Sequence, residues 1–305
     1  MTRMKSRRQI QKGGFWSRYL SDYLFIAPYI IIFFVFTVIP VVTSIFLSFC
    51  YFNVLEAPTF AGLENYFSLF LDDKIFPIAL KNTLLISVIT GPVSFFLCLL
   101  LAWAVNEFPP KLRALITLLF YAPSISGGVY TIFQLIFSSD SYGLLNGLLL
   151  SMGMIEEPIL WLTDEKYMLG VAVFIILWMS LGTSFLSFIA GFQNIDVRLY
   201  EAAAVDGINN RWQELWYITL PSMRPQLMFG AVMSITGSFG MGDMLSAIFG
   251  NPSTNYSVHT LVHHLQDYGN TRFEMGYASA IATLLFIMMV GSNQIVQRLL
   301  KKFGA

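Results

Sequence analysis

The sequence predicts an all-α, polytopic transmembrane helical bundle of six spans with both termini in the cytoplasm, and three observations carry that reading. Of 305 residues, 56% are hydrophobic and only 12% charged, with a mean hydropathy of +0.64. A water-soluble domain of this size has no interior large enough to hide such an apolar excess. Six apolar stretches are each long enough to cross a hydrocarbon layer of about 30 Å. The lysines and arginines between them gather on one side, and because basic residues mark the cytoplasmic loops, that side is the inner one. A formal net charge of zero conceals this asymmetry.

Residues 1–20 read as a basic cytoplasmic tail, with Arg3, Lys5, Arg7, Arg8, Lys12 and Arg18 and no acid among the first eighteen positions. Such a cluster is drawn to anionic membrane lipid, and no nucleic-acid partner is expected. The apolar run that follows is too long for a signal peptide and lacks a small-residue cleavage site, so an uncleaved anchor is expected. Residues 21–305 then form one transmembrane domain, with spans near 23–49, 79–105, 114–137, 167–192, 226–249 and 276–296. Pro28 and Pro40 kink the first span. Pro109 and Pro110 break the helix between the second and third spans. The apolar run GLLNGLLLSMGM within 138–166 is too short to cross and reads as an interfacial helix. In the fifth span Gly230, Gly237, Gly240 and Gly242 permit close helix contact or local unwinding, and close packing is the expectation. Cys50 and Cys98 fall near opposite faces, so no disulfide is expected.

Ionisable groups are scarce inside the spans, whose polar content is hydroxyls and amides. By default these join helices, at about 0.6 kcal/mol each. Their functional reading is a neutral path for a neutral polar solute, with Ser126, Gln134, Ser184, Ser238 and Asp243 as candidate pathway residues. A proton- or sodium-coupled carrier, the alternative reading, would carry carboxylates along that path. His259, His263 and His264 form H-x-x-x-H-H, but zinc wants a further ligand and only Asp267 and Glu274 stand near. A solvated helix start, and no metal, is expected there. The chain has no G-x-x-x-x-G-K-S/T, H-E-x-x-H or G-x-S-x-G, so neither enzymatic activity nor a cofactor is expected.

Between the fourth and fifth spans lies a polar elbow, residues 195–225, whose core reads EAAAVDGINNRWQELWYITLPSMRP. Glu201, Asp206, Arg211, Glu214 and Arg224 keep it in water. Asp196 caps a first short helix rich in alanine, and Gly207 supplies a left-handed end to it. Asn210 and Gln213 match a capping box that opens a second helix. Leu220, preceding Pro221, is biased away from helical geometry, and Pro225 suits the first turn of the next span.

Glu201-Ala202-Ala203, Asp206-Gly207, Ile218-Thr219-Leu220-Pro221 and Pro225 together resemble the EAA loop in the membrane subunits of bacterial ABC importers. Ile208 stands where that family usually has alanine, and the segment before the Ile-Thr-Leu-Pro run is one residue longer than its commonest form. Gly62, Leu63, Asn65 and Tyr66, then Asn82-Thr83-Leu84, and the segment FEMGYASAIATLLF resemble the carbohydrate-type subgroup with its MetI-like fold. Asp243 with Gly250, Asn251 and Pro252 matches a further family run more loosely. The resemblance implies a permease subunit in a bacterial inner membrane. It implies as partners a second permease subunit, two ABC ATPase subunits and an extracytoplasmic solute-binding protein, for which the 138–166 segment is an expected contact. It further implies that Glu201, Ala202, Ala203, Asp206, Gly207 and Trp212 couple the elbow to an ATPase.

Overall fold

The computed structural model describes residues 15–303, with side chains from 22 to 301. Most of the basic tail thus lies outside the described residues. Helix begins at Phe15, inside the stretch read as tail: α1 (Phe15–Phe33) continues through a π-helical turn into α2 (Ile39–Leu47). The apolar length Asp22–Leu47 has no buried share within the chain (0%). A clip follows, in which β1 (Cys50–Tyr51) pairs antiparallel with β2 (Thr59–Phe60). Short α3 (Glu64–Phe67) then presents Asn65, whose Nδ2 donates to the carbonyls of Ser48 and Cys50 at 2.9 Å. Tyr66 donates to the Ser48 hydroxyl at 2.8 Å. The Gly-Leu-x-Asn-Tyr signal is therefore a staple that closes this clip.

Helix α4 (Phe76–Asn106) is 31 residues long and runs through the middle of the bundle. It is followed by α5 (Pro110–Ile125), α6 (Val129–Ile136), α7 (Leu144–Ser151), α8 (Glu165–Met179) and α9 (Thr183–Gln193). The elbow holds α10 (Val197–Val205), α11 (Arg211–Glu214) and α12 (Leu220–Ser222), and α13 (Arg224–Phe239), α14 (Gly242–Phe249), α15 (Leu261–Gln266) and α16 (Met275–Phe303) complete the chain. α4 packs along α9 and α13, α13 along α16, and α16 along α2. A Cβ on Gly230 would collide with the Phe188 ring, so α13 and α9 approach as closely as glycine allows, as the fifth-span glycines suggest.

Among the described residues three helices are long and apolar enough to cross a membrane, and up to six spans result if each of three bent pairs counts as one. Within the third, fourth and fifth apolar stretches the helix is bent. α5 and α6 meet at 92°, α8 and α9 at 40°, and α13 and α14 at 43°. Hydropathy averages over a window and is blind to such breaks. Their local cause is legible at the third span, where Pro123 and the pair Gly127-Gly128 withdraw helical support. The expected interfacial segment does contain a helix, α7, with buried Asn146 bonding Ser138, Asp140, Ile159 and Trp161 around it.

The histidines correct the sequence reading. His259, His263 and His264 are not at a solvated helix start but buried, at 2%, 0% and 1% exposure. Among the described residues no group of side chains fits a metal ion. Instead they help tie the start of α4 to the loops around it. His264 Nε2 meets Asp73 Oδ2 at 2.7 Å, and Tyr277 donates to the same oxygen at 2.8 Å. Asn82 Nδ2 donates to the carbonyls of Tyr256 and His259, and the Leu261 N–H donates to the Thr83 hydroxyl at 2.8 Å. The Asn-Thr signal of the sequence is this knot. Burial, then the neighbouring His263, pushes the His259 pKa down to about 3, and burial pushes His263 to about 4. Burial alone would raise Asp73. The hydrogen bonds from Tyr277 and the Phe76 N–H, then the His264 charge and the Ile75 N–H, outweigh it and hold the carboxyl below its ordinary value. The period of an amphipathic helix does not distinguish a face turned to water from one turned into a polar knot, which is why these residues read as solvated.

Candidate functional site

A cavity of about 240 Å³ opens in the middle of the bundle. α4 contributes Thr90 and Ser94 to its wall, α5 Tyr121 and Ser124, α9 Thr183 and Ser184, and α13 Ser234 and Ser238. Thr90 and Ser94 direct their hydroxyls to carbonyls of their own helix, Ile86 at 2.8 Å and Gly91 at 3.0 Å. Ser184 instead bridges helices, reaching the Gly230 carbonyl at 3.2 Å and the Ser234 hydroxyl at 3.5 Å. Met179, Met233 and Met241 supply soft apolar surface between these groups. The lining has no carboxylate, imidazole, ammonium or guanidinium, so it offers hydrogen bonds and dispersion but no fixed charge.

Of the five pathway candidates, Ser184 and Ser238 line this cavity. Ser126 sits exposed at the bend after α5, where its N–H bonds the Pro123 carbonyl. Gln134 ties α6 to α14 through the Ala247 carbonyl at 2.7 Å. Asp243, exposed in the first turn of α14, accepts from Gln266. Thr90, Ser94 and Ser234 were not among the pathway candidates, because along the sequence a hydroxyl that faces a cavity reads like any other hydroxyl in an apolar span.

The elbow hangs from the same helices, since α9 leads into it and α13 leaves it. Asp196 caps α10 by accepting from the Arg198 N–H at 3.0 Å. The helix ends in a Schellman turn, with the Ile208 N–H on the Ala203 carbonyl and Gly207 at φ 91°. That left-handed geometry is the one Gly207 was expected to supply. Asn210 opens the second helix by accepting from the Trp212 N–H at 3.0 Å. Leu220 departs from expectation: it stays helical at φ −60°, ψ −45°. The preceding turn, Leu215–Thr219, is π-helical, and its wider ring leaves room for Pro221 without breaking the helix. Pro225 does fall in the first turn of α13.

Among the elbow's coupling candidates, Ala203 is buried while Glu201, Ala202, Asp206, Gly207 and Trp212 are exposed. The Glu201 and Asp206 carboxylates take no hydrogen bond or ion pair among the described residues. Val205 at 88%, Trp216 and Tyr217 add exposed apolar surface beside them. Two contacts tie the elbow to the end of α4. The Trp103 and Trp212 rings lie 4.9 Å apart, and Arg211 bridges Glu107 at 3.1 Å and Glu214 at 3.0 Å.

Residues 11–304 match the family described as binding-protein-dependent transport system inner membrane component. The chain belongs to this family of ABC importer permease subunits. It is 35% identical over 292 residues to the probable ABC transporter permease protein YesP of Bacillus subtilis (strain 168), covering 94% of this chain and 90% of that protein. It is 33% identical over 279 residues to the arabinooligosaccharides transport system permease protein AraP of the same organism, covering 90% and 87%. The lactose transport system permease protein LacF of Rhizobium radiobacter is 32% identical over 280 residues, covering 88% and 90%. The fold matches a chain in the crystal structure of a bacterial alginate ABC transporter in complex with alginate pentasaccharide-bound periplasmic protein. The TM-score is 0.75 and the identity 24%, with 95% of this chain and 99% of that one covered.

Proposed function

We propose that this chain is the permease subunit of an ATP-driven importer for a neutral sugar or oligosaccharide, itself carrying no reaction, and that the elbow converts ATPase motion into alternating access. The observation that carries the proposal is covalent. The helices entering and leaving the elbow, α9 and α13, are two walls of the hydroxyl-lined cavity, so a displacement of the elbow displaces the cavity. The uncharged lining suits a solute without charge, and the names of the arabinooligosaccharide and lactose relatives support a carbohydrate. The absence of ionisable lining groups disfavours an ion-coupled carrier.

The exposed surface of the elbow is the docking face for an ATPase, with Ala202, Gly207 and Trp212 shaping it and Glu201 and Asp206 free to pair with the partner. The unburied length Asp22–Leu47 fits against a second permease subunit and membrane lipid, and an extracytoplasmic solute-binding protein delivers to the face opposite the elbow. Elbow and termini are then cytoplasmic in a bacterial inner membrane. Isolation of the chain from its native membrane is expected to bring ATPase and second permease subunits with it. Gly207→Pro is expected to insert normally and to abolish uptake across a panel of labelled neutral oligosaccharides. Normal uptake by that variant would overturn the coupling role.

A further inference from the structure

Four helices form most of the cavity wall, the end of α8 adding Ile176, Met179 and Ser180, and the elbow is continuous in chain with two of the four, α9 and α13. The other two, α4 and α5, are joined to each other by the turn that holds Glu107 and are remote from the elbow in sequence. Arg113 Nη1 donates to Asn106 Oδ1 at 2.9 Å across that turn, so α4 and α5 end as one unit. It is this unit that the elbow grips. Trp212 lies against Trp103 on the last turn of α4, and Arg211 spans Glu107 and Glu214. Beneath the exposed contacts, Leu215 of the elbow is buried in the apolar core that also holds Cys98, Ala102 and Val105 of α4.

We infer that Trp103, Glu107 and Arg211 are positioning residues that clamp the α4–α5 turn to the elbow, so that one stroke moves all four cavity walls rather than two. The inference rests on the coupling role proposed above and adds a second route, through side chains, to the route through the chain. The buried Leu215 holds the parts together, and the paired rings and the bridging guanidinium add directional contacts at the surface.

The test uses the native complex in proteoliposomes, with N-ethylmaleimide as probe of cavity access and ATP plus vanadate as the stroke. One reporter is Ser94→Cys on α4 and the other Ser234→Cys on α13, both on the cavity lining, to which native Cys50 and Cys98 do not belong. In the otherwise unchanged complex both reporters should alter their labelling rate severalfold on ATP-vanadate. With Trp103→Ala or Glu107→Arg the α4 response should vanish while the α13 response persists, and Glu107→Arg combined with Arg211→Glu should restore it. A full α4 response in both single variants, or no recovery in the charge swap, would overturn the clamp. Silence of both reporters in the unchanged complex would overturn the coupling reading, and the clamp with it.

Discussion

The two ends of α4 are fastened in opposite ways. At its start, Asn82 and Thr83 enter a buried knot with His259, His263, His264, Asp73 and Tyr277, in which one carboxylate and one amide each serve several partners. At its finish the helix is held by rings and an ion pair at the surface, with Arg211 at 66% and Glu107 at 48% side-chain exposure. Buried hydrogen bonds are costly to break because the partner left behind has no water to turn to, whereas exposed pairs cost little to break and remake. The helix is thus held by buried contacts at one end and by surface contacts at the other.

Breaking the buried contacts should produce the largest effect. Asp73→Ala strips the acceptor from His264 and Tyr277 and from the N–H groups of Ile75 and Phe76, and should cost about 3–5 kcal/mol in thermal or denaturant unfolding of the purified protein. Acid comes next. Because the folded-state pKa values of His259 and His263 lie below the ordinary 6.5, the unfolded chain binds more protons as pH falls from about 6.5 towards 4, and stability falls with it. At pH 5 each histidine should remove up to about 2 kcal/mol, read as lower hydrogen-exchange protection factors, normalised for the slower chemical exchange in acid, in residues 256–268 than at pH 7. Asn82→Ala, which leaves two carbonyls without their donor, should cost about 1–2 kcal/mol by the same unfolding measurement. At the end held by surface contacts, Glu107→Gln should change stability by less than about 1 kcal/mol, within reach of a careful melting comparison. If Glu107→Gln proved as destabilising as Asp73→Ala, the contrast between the ends would be lost.

Much of this was legible in the sequence because single residues announce single tasks. Apolar length marked the membrane helices, Gly207 marked a left-handed turn, and Asp196 and Asn210 marked helix starts that the structure places where expected. What escaped was whatever depends on a distant partner. The bends of 92°, 40° and 43° arise where short breaks meet packing from elsewhere in the chain. His264 meets a carboxylate 191 positions away, which no local spacing encodes. Leu220 stayed helical because a π-helical turn one step upstream absorbed the proline, a compensation invisible in the residue pair alone. The cavity hydroxyls are ordinary serines until four helices bring them together.

The central claim, that the push enters through the elbow from the cytoplasm, is tested most directly at Val205, the elbow's most exposed apolar residue at 88%. Val205→Cys in intact cells should resist a membrane-impermeant maleimide until the membrane is opened, and should then cross-link to an ATPase subunit through a short bismaleimide. Labelling from the outside of sealed cells, or a cross-link pattern with no ATPase in it, would contradict the account.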